Sequence, residues 1–288
     1  MPAILWILAL ALVLMSACGA PRPVPHAPAP KLQSASLEQL LTTFNRNAGA
    51  VRTMQLKLDL TARAGKKKYV RISAYLLTQK PSSIRITGKF PLLGTIFDMA
   101  SDGSVFELNI PDRGQFLEGR NDVIPAVTPN PLEKLRPQVV LNALLINPIP
   151  DQDHVALDPS ADPAEYQVLV LSPGTDGIDH IVRRITFSRY DLLPHAQVLY
   201  DGDGVHSTVA TYSNFSLVDG LPLPMDMTID RPVDGYALRL QVVKNGTILN
   251  HPFAQANPFQ LQPPAGSKVV KLSANLGAQP AADSTAAR

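Results

Sequence analysis

Between Met54 and Thr61 the chain alternates without a break: Met54, Leu56, Leu58 and Leu60 are apolar, and Gln55, Lys57, Asp59 and Thr61 are polar. A period of two puts all the apolar side chains on one face of a strand, so this stretch belongs to a sheet with one dry and one wet face. Similar segments follow at short intervals. YVRISAYLLTQ, SSIRITGK, TIFDMAS, SVFELNI and RGQFLEG are separated by AGKKK, Pro81 and Asp102-Gly103. A second set comprises EYQVLVLS, DHIVRRITFSR, PHAQVLYD, HSTVATYSNF, PMDMTIDR and GYALRLQVV. Short strands with turn signals between them predict an antiparallel meander of about twelve strands. Neither half has a linker beside it, so one strongly curved sheet is expected. About a dozen strands curled in this way enclose more volume than their own side chains fill, which predicts an apolar cavity.

Two segments have helical spacing. Ser36 and Gln39 form a capping box, and Leu37, Leu40, Leu41, Phe44 and Ala48 repeat behind it. PLEKLRPQVVLNALLI, residues 131–146, is too apolar for a wet helix, and Pro137 should kink or divide it. Helices of this kind can plug the concave face of the sheet. Leu56, Leu58, Leu60, Leu238 and Leu240 are expected to line the interior, with Leu141, Leu144 and Leu145 of the middle helix near a lid.

The 288 residues carry a formal net charge of +2, which leaves no electrostatic footprint for nucleic acid. The apolar run from Ala3 to Met15 is short for a membrane span and fits the core of a secretory signal, residues 1–17. The one cysteine, Cys18, excludes an internal disulfide. It follows Met15-Ser16-Ala17, a context that resembles the lipobox of bacterial lipoproteins. That resemblance implies cleavage before Cys18 and acylation of it. Gly19 stands where an inner-membrane retention aspartate would be, so the implied destination is the outer membrane. PRPVPHAPAP, residues 21–30, reads as an extended tether within residues 18–33. The folded domain should cover 34–272, and the Ala-, Gly- and Ser-rich residues 273–288 should form a disordered tail.

GKFPLLGTIF, residues 88–97, poses a local puzzle. A link between two strands is normally polar. Pro91 and Gly94 suit a turn, but Leu92 and Leu93 do not, unless they are covered or touch something outside the protein. The phrase SSIRITGKFPLLGT, with Arg85 and the turn at 91–94, resembles the "Arg-Leu … Pro-Leu-Gly" stretch of the Lol-type outer-membrane lipoprotein receptors. Asn257-Pro258-Phe259-Gln260-Leu261, followed by Pro263-Pro264-Ala265-Gly266, resembles their closing strand. The chain is thus similar to the LolA/LolB-like carriers and receptors, and closest to the receptor member. It departs from them in Pro-rich loops at 121–131 and 147–163. The resemblance implies an incomplete antiparallel barrel of about 11–12 strands with a helical lid over an apolar cavity. It further implies a periplasm-facing protein anchored to the outer membrane by its acyl group. Such a protein binds acylated cargo, lipoprotein or lipid, and receives it from a periplasmic carrier protein. The turn at Pro91, Leu92, Leu93 and Gly94 becomes a membrane or transfer loop, and Arg85 a barrel-lining residue that bonds a lid carbonyl.

No Gly-rich phosphate loop, Gly-x-Ser-x-Gly elbow or His-Glu-x-x-His helix is present, so no enzyme activity or cofactor is expected. His180 with Asp176 and Asp179, and His206 with Asp201 and Asp203, lie in Gly-rich turns and read as solvated turns rather than metal sites. Arg183 and Arg184 alternate with apolar residues on a strand and read as outward-facing. The alternative function is a non-catalytic assembly lipoprotein whose interior is merely core.

Overall fold

The structure, a computed structural model, describes residues 31–65, 67–68, 71–121, 137–159, 162–200 and 206–272. The expected signal peptide, Cys18, the run 21–30, Lys66, residues 131–136 of the middle helix, Asp201, Asp203 and the tail lie outside these residues. The chain divides into two units, Met1–Leu32 and Gln33–Arg288, and every element below belongs to the second.

The unit opens with α1 (Leu37–Ala50). Its capping box forms as expected: the Gln39 amide donates to Ser36 Oγ at 3.2 Å, and the Ser36 amide donates to Gln39 Oε1 at 2.9 Å. Seven strands follow: β1 (Thr53–Ala64), β2 (Lys67–Lys68), β3 (Ile72–Gln79), β4 (Ser83–Phe90), β5 (Gly94–Ser101), β6 (Val105–Ile110) and β7 (Gln115–Arg120). After α2 (Pro137–Leu144) come β8 (His154–Asp158), β9 (Glu165–Pro173), β10 (Asp179–Ser188), β11 (Pro194–Tyr200), β12 (His206–Val218), β13 (Leu221–Arg231), β14 (Tyr236–Leu249) and β15 (Lys268–Leu272).

These strands form one open, curled sheet in the order β15-β7-β6-β5-β4-β3-β1-β14-β13-β12-β11-β10-β9-β8, with β2 paired to β1. All twelve expected strands are present. The three additional ones are β2, β8 and β15. β8 lies inside the expected loop 147–163; most of its side chains are exposed, so it has no dry face to produce an alternating signal. β15 runs parallel to β7, the one exception to the antiparallel pattern among the described strands. The two halves join through β1 and β14, which bring Leu60 opposite Leu240 and Ala62 opposite Leu238.

Two clusters make up most of the core, and a third, small one lies under the segment after β14. α2 plugs the larger cluster, in which Val140, Leu141, Ala143 and Leu144 pack among β1, β3, β4, β5 and β12–β14. α1 covers a second cluster on β9 and β10, where Leu40 and Phe44 meet Val168, Val170, Ile185 and Phe187. A helix end buried this deeply needs partners for its last carbonyls. Tyr212 Oη donates to the Ala143 carbonyl at 2.5 Å, and Gln197 Nε2 donates to the Asn142 carbonyl at 3.1 Å. Burial raises the Tyr212 phenol well above its ordinary pKa, so it stays neutral and remains a donor.

Candidate functional site

Phe90 pairs with Gly94 across the β4–β5 hairpin, so Pro91, Leu92 and Leu93 form the whole link. Leu92 has φ 68° and Gly94 φ 74°. The left-handed region suits the glycine, but costs a leucine about 1–2 kcal/mol. Packing does not offset that cost here. Leu92 is 106% exposed and Leu93 65%. The hairpin beneath them is firmly built. Its register slips between Gly88 and Lys89, and a Cβ on Gly88 would lie 2.3 Å from the Phe97 ring. Only glycine fits against that ring. Lys89 extends over the exposed Tyr75 ring, with Nζ 5.2 Å from the centroid. The site is therefore an apolar tip with an aromatic ring and a cation behind it, the residue types that anchor proteins at a membrane–water interface. Tyr75 and Lys89 were not singled out in the sequence; each occupies an outward strand position that reads as ordinary surface.

The interior is more tightly filled than expected. Leu56, Leu58, Leu60, Leu141, Leu144, Leu145, Leu238 and Leu240 do meet, but as one packed cluster. A cavity of about 70 Å³ lies where α1, the end of α2 and residues 192–194 and 222–224 converge; of those eight leucines, only Leu144 and Leu145 line it. A second cavity, of about 390 Å³, is lined by none of them. The physical reason is α2 itself, whose apolar side chains occupy the space that the curl of the sheet encloses.

Arg85 is not in the interior. Ile84 and Ile86 take the core face of β4, so Arg85 points to the opposite face. There it forms a two-pronged pair with Asp98, Nε to Oδ1 at 3.0 Å and Nη2 to Oδ2 at 2.7 Å. Its remaining nitrogen, Nη1, donates to Gln255 Oε1 at 2.7 Å and to the Pro258 carbonyl at 3.2 Å. The carbonyl it bonds thus belongs to the segment after β14, which crosses the outer face toward β15. Leu261 of that segment packs with Ala100 and Phe116, and its amide donates to Glu107 Oε2 at 2.6 Å. The closing phrase is a strap, and Arg85 is its clasp. Arg85→Met should cost about 2–3 kcal/mol, the scale of lost hydrogen bonds to charged groups. Limited proteolysis should then cut within residues 251–266 before the sheet unfolds; a cleavage pattern unchanged from wild type would refute the clasp.

Arg183 also departs from expectation. It alternates with Ile185 and Phe187 on β10, so its side chain lies on the core face beside them; the bulge between Ile181 and Arg183 lies just before it. The histidine turns stay simple. His180 Nε2 lies 2.9 Å from Asp176 Oδ2 at the surface, while Asp179 pairs with His154 instead. Among the described residues no group of three side chains could hold a metal ion, and no helix is long and apolar enough to cross a membrane.

No protein-family model matches the chain, and no curated protein does. Solved structures do. A DUF1329 family protein from Desulfovibrio piger is similar at 11% identity, over 77% of this chain and 96% of that one, with a TM-score of 0.53. A LolA superfamily protein from Nitrosomonas europaea is similar at 12% identity, over 77% and 97%, with a TM-score of 0.48. The chain shares its fold, an open curled sheet, with the first of these. At such identities that likeness concerns fold alone, and the second, at its lower score, adds no weight.

Proposed function

We propose that the chain is a lipoprotein of the bacterial outer membrane, anchored through Cys18 on the periplasmic face. It binds acyl chains and accepts or passes lipoproteins or lipids to that membrane, taking them from a periplasmic carrier protein. The observation that carries this reading is the tip: Leu92, 106% exposed, held at φ 68° by a hairpin that does not use it for packing. Two leucines in water forgo burial worth roughly 1.5–3 kcal/mol each. A bilayer or a donor's acyl chain would supply that burial at the moment of exchange. Strain at a position with no packing role is a pointer to function.

The filled core favours a second reading, a non-catalytic assembly lipoprotein that binds a protein partner. A cavity of about 70 Å³ has room for roughly two waters, far less than an acyl chain. Under the first reading, cargo that enters the core around Leu58 must displace α2 from it. Native mass spectrometry of the soluble Cys18→Ala variant separates the two. Lacking its own acyl group, this variant should no longer label with radioactive fatty acid, yet should still carry an extractable acyl adduct as cargo. Labelling that persists would remove the anchor from the reading. Absence of any adduct, before and after incubation with acylated peptide, would leave the assembly reading.

A further inference from the structure

The cavity of about 390 Å³ lies between the segment after α2 and strands β9 to β13, lined by Asn142, Asn147, Arg183, Tyr200, Thr208 and Arg231 among others. Arg183 is its unusual member. Its side chain is almost wholly buried, at 9% exposure for the residue. Nη1 donates to the Asn147 carbonyl at 2.9 Å, and the guanidinium stacks over the Phe44 ring at 5.2 Å. Among the described residues Nε and Nη2 have no hydrogen-bond partner. No carboxylate of the described residues lies within ion-pair distance of it.

A buried cation with two idle donors is costly unless something compensates it. Burial holds the Arg183 guanidinium down to about 10, which still leaves it charged at neutral pH. Its surroundings add to the cost. Lys80, which donates to the Ala48 carbonyl at 2.6 Å, is near enough for the two charges to repel. Arg231, a second guanidinium on the cavity wall, is held by Asp234 and donates to Thr208 Oγ1 at 2.8 Å. Asp153, the wall's one carboxylate, favours the Arg183 charge from beyond ion-pair distance and accepts from the Ser172 hydroxyl. Alternation with the buried Ile185 and Phe187 fixes the Arg183 side chain on the inner face of β10.

We propose that this cavity binds an oxyanion, a phosphate or carboxylate group, with Arg183 as its principal partner and Arg231 as a second positive charge. The planar fork of an arginine matches both groups. The volume is large enough for a headgroup and not only for an ion. The site does not depend on the transfer reading: an assembly protein with the same cavity would bind the same chemistry.

The test titrates the full chain with three probes at matched ionic strength: inorganic phosphate, octanoate, and a short-chain phosphatidic acid below its micellar concentration. Binding is read by calorimetry and by side-chain nitrogen NMR of labelled arginine. One protected guanidinium should shift on titration. Arg183→Met should weaken binding at least tenfold, and Arg183→Lys should retain part of it. Saturation by inorganic phosphate alone identifies a free oxyanion; binding only by octanoate or phosphatidic acid identifies a lipid headgroup; either supports the site. No probe exceeding chloride would show a hydrated cavity only. A guanidinium resonance that does not move in the wild-type chain would overturn the proposal even if Arg183→Met fails to fold.

Discussion

Leu58→Asp is expected to unfold the domain. Leu58 is 0% exposed, in the middle of β1, with α2 and the facing strands packed around it. The substitution removes about 2 kcal/mol of apolar burial. It also places an unpaired carboxylate where no described side chain offers a countercharge, at a cost of several kcal/mol more. Domains of this size are stable by only about 5–15 kcal/mol. The sum is large enough to leave most molecules unfolded at 37 °C. A lipid-filled barrel would respond differently: the new charge would face displaceable cargo or water, and the loss would fall on bound lipid. Circular dichroism melting and lipid extraction, done together, separate these outcomes. A variant that melts normally but loses its lipid would show that the interior is open in the working protein, contrary to the packed arrangement of α2.

The double variant Leu92→Glu with Leu93→Glu is expected to do the reverse, sparing the fold and disabling the function. Neither leucine packs on the domain, so the melting temperature should stay within a degree or two. The membrane-bound fraction should also hold. Each buried methylene of an acyl anchor contributes about 0.8 kcal/mol, and several chains outweigh the tip. Delivery of acylated cargo to liposomes should slow at least tenfold, because inserting two leucines is worth roughly 3–6 kcal/mol and each 1.36 kcal/mol is a factor of ten in rate. A companion variant, Leu92→Gly, removes the left-handed strain and should raise stability by about 1 kcal/mol while still slowing delivery. Transfer at the wild-type rate in both would end the case for a transfer loop.

The strands were legible because their two faces differ. Leu56, Leu58 and Leu60 announced β1, and Tyr236, Leu238 and Leu240 announced β14; the other ten were marked as short runs between turn signals. β8 and β15 escaped because HVALD and KVVKL lie at sheet edges, with too little buried face to generate a pattern. Arg85 is instructive in another way. Ile84 and Ile86 already assign it the outer face by simple alternation; the inward placement came from the family resemblance, and the alternation was the better guide. Arg183 teaches the same lesson: it alternates with Ile185 and Phe187, which assigns it the core face, and the outward reading followed its charge instead of that parity. The exposed tip was legible as an oddity, Pro-Leu-Leu-Gly where a polar turn belongs. Its lysine and tyrosine neighbours emerge only when Lys89 and Tyr75 meet across adjacent strands.

The pairing of β1 with β14, Met54 opposite Leu249, has a temporal side. The first strand to leave the ribosome acquires one neighbour, β3, almost at once. Its other edge stays bare until nearly the whole unit has been made. Contacts so remote in sequence slow folding, and an unpaired, amphipathic edge is where a half-made chain joins another. The two halves of the sheet therefore join late, with residues 236–249 acting as the keystone and only the edge strand β15 still to come. A chain truncated before Tyr236 would keep most of its strands and still lack the seam that makes them one structure.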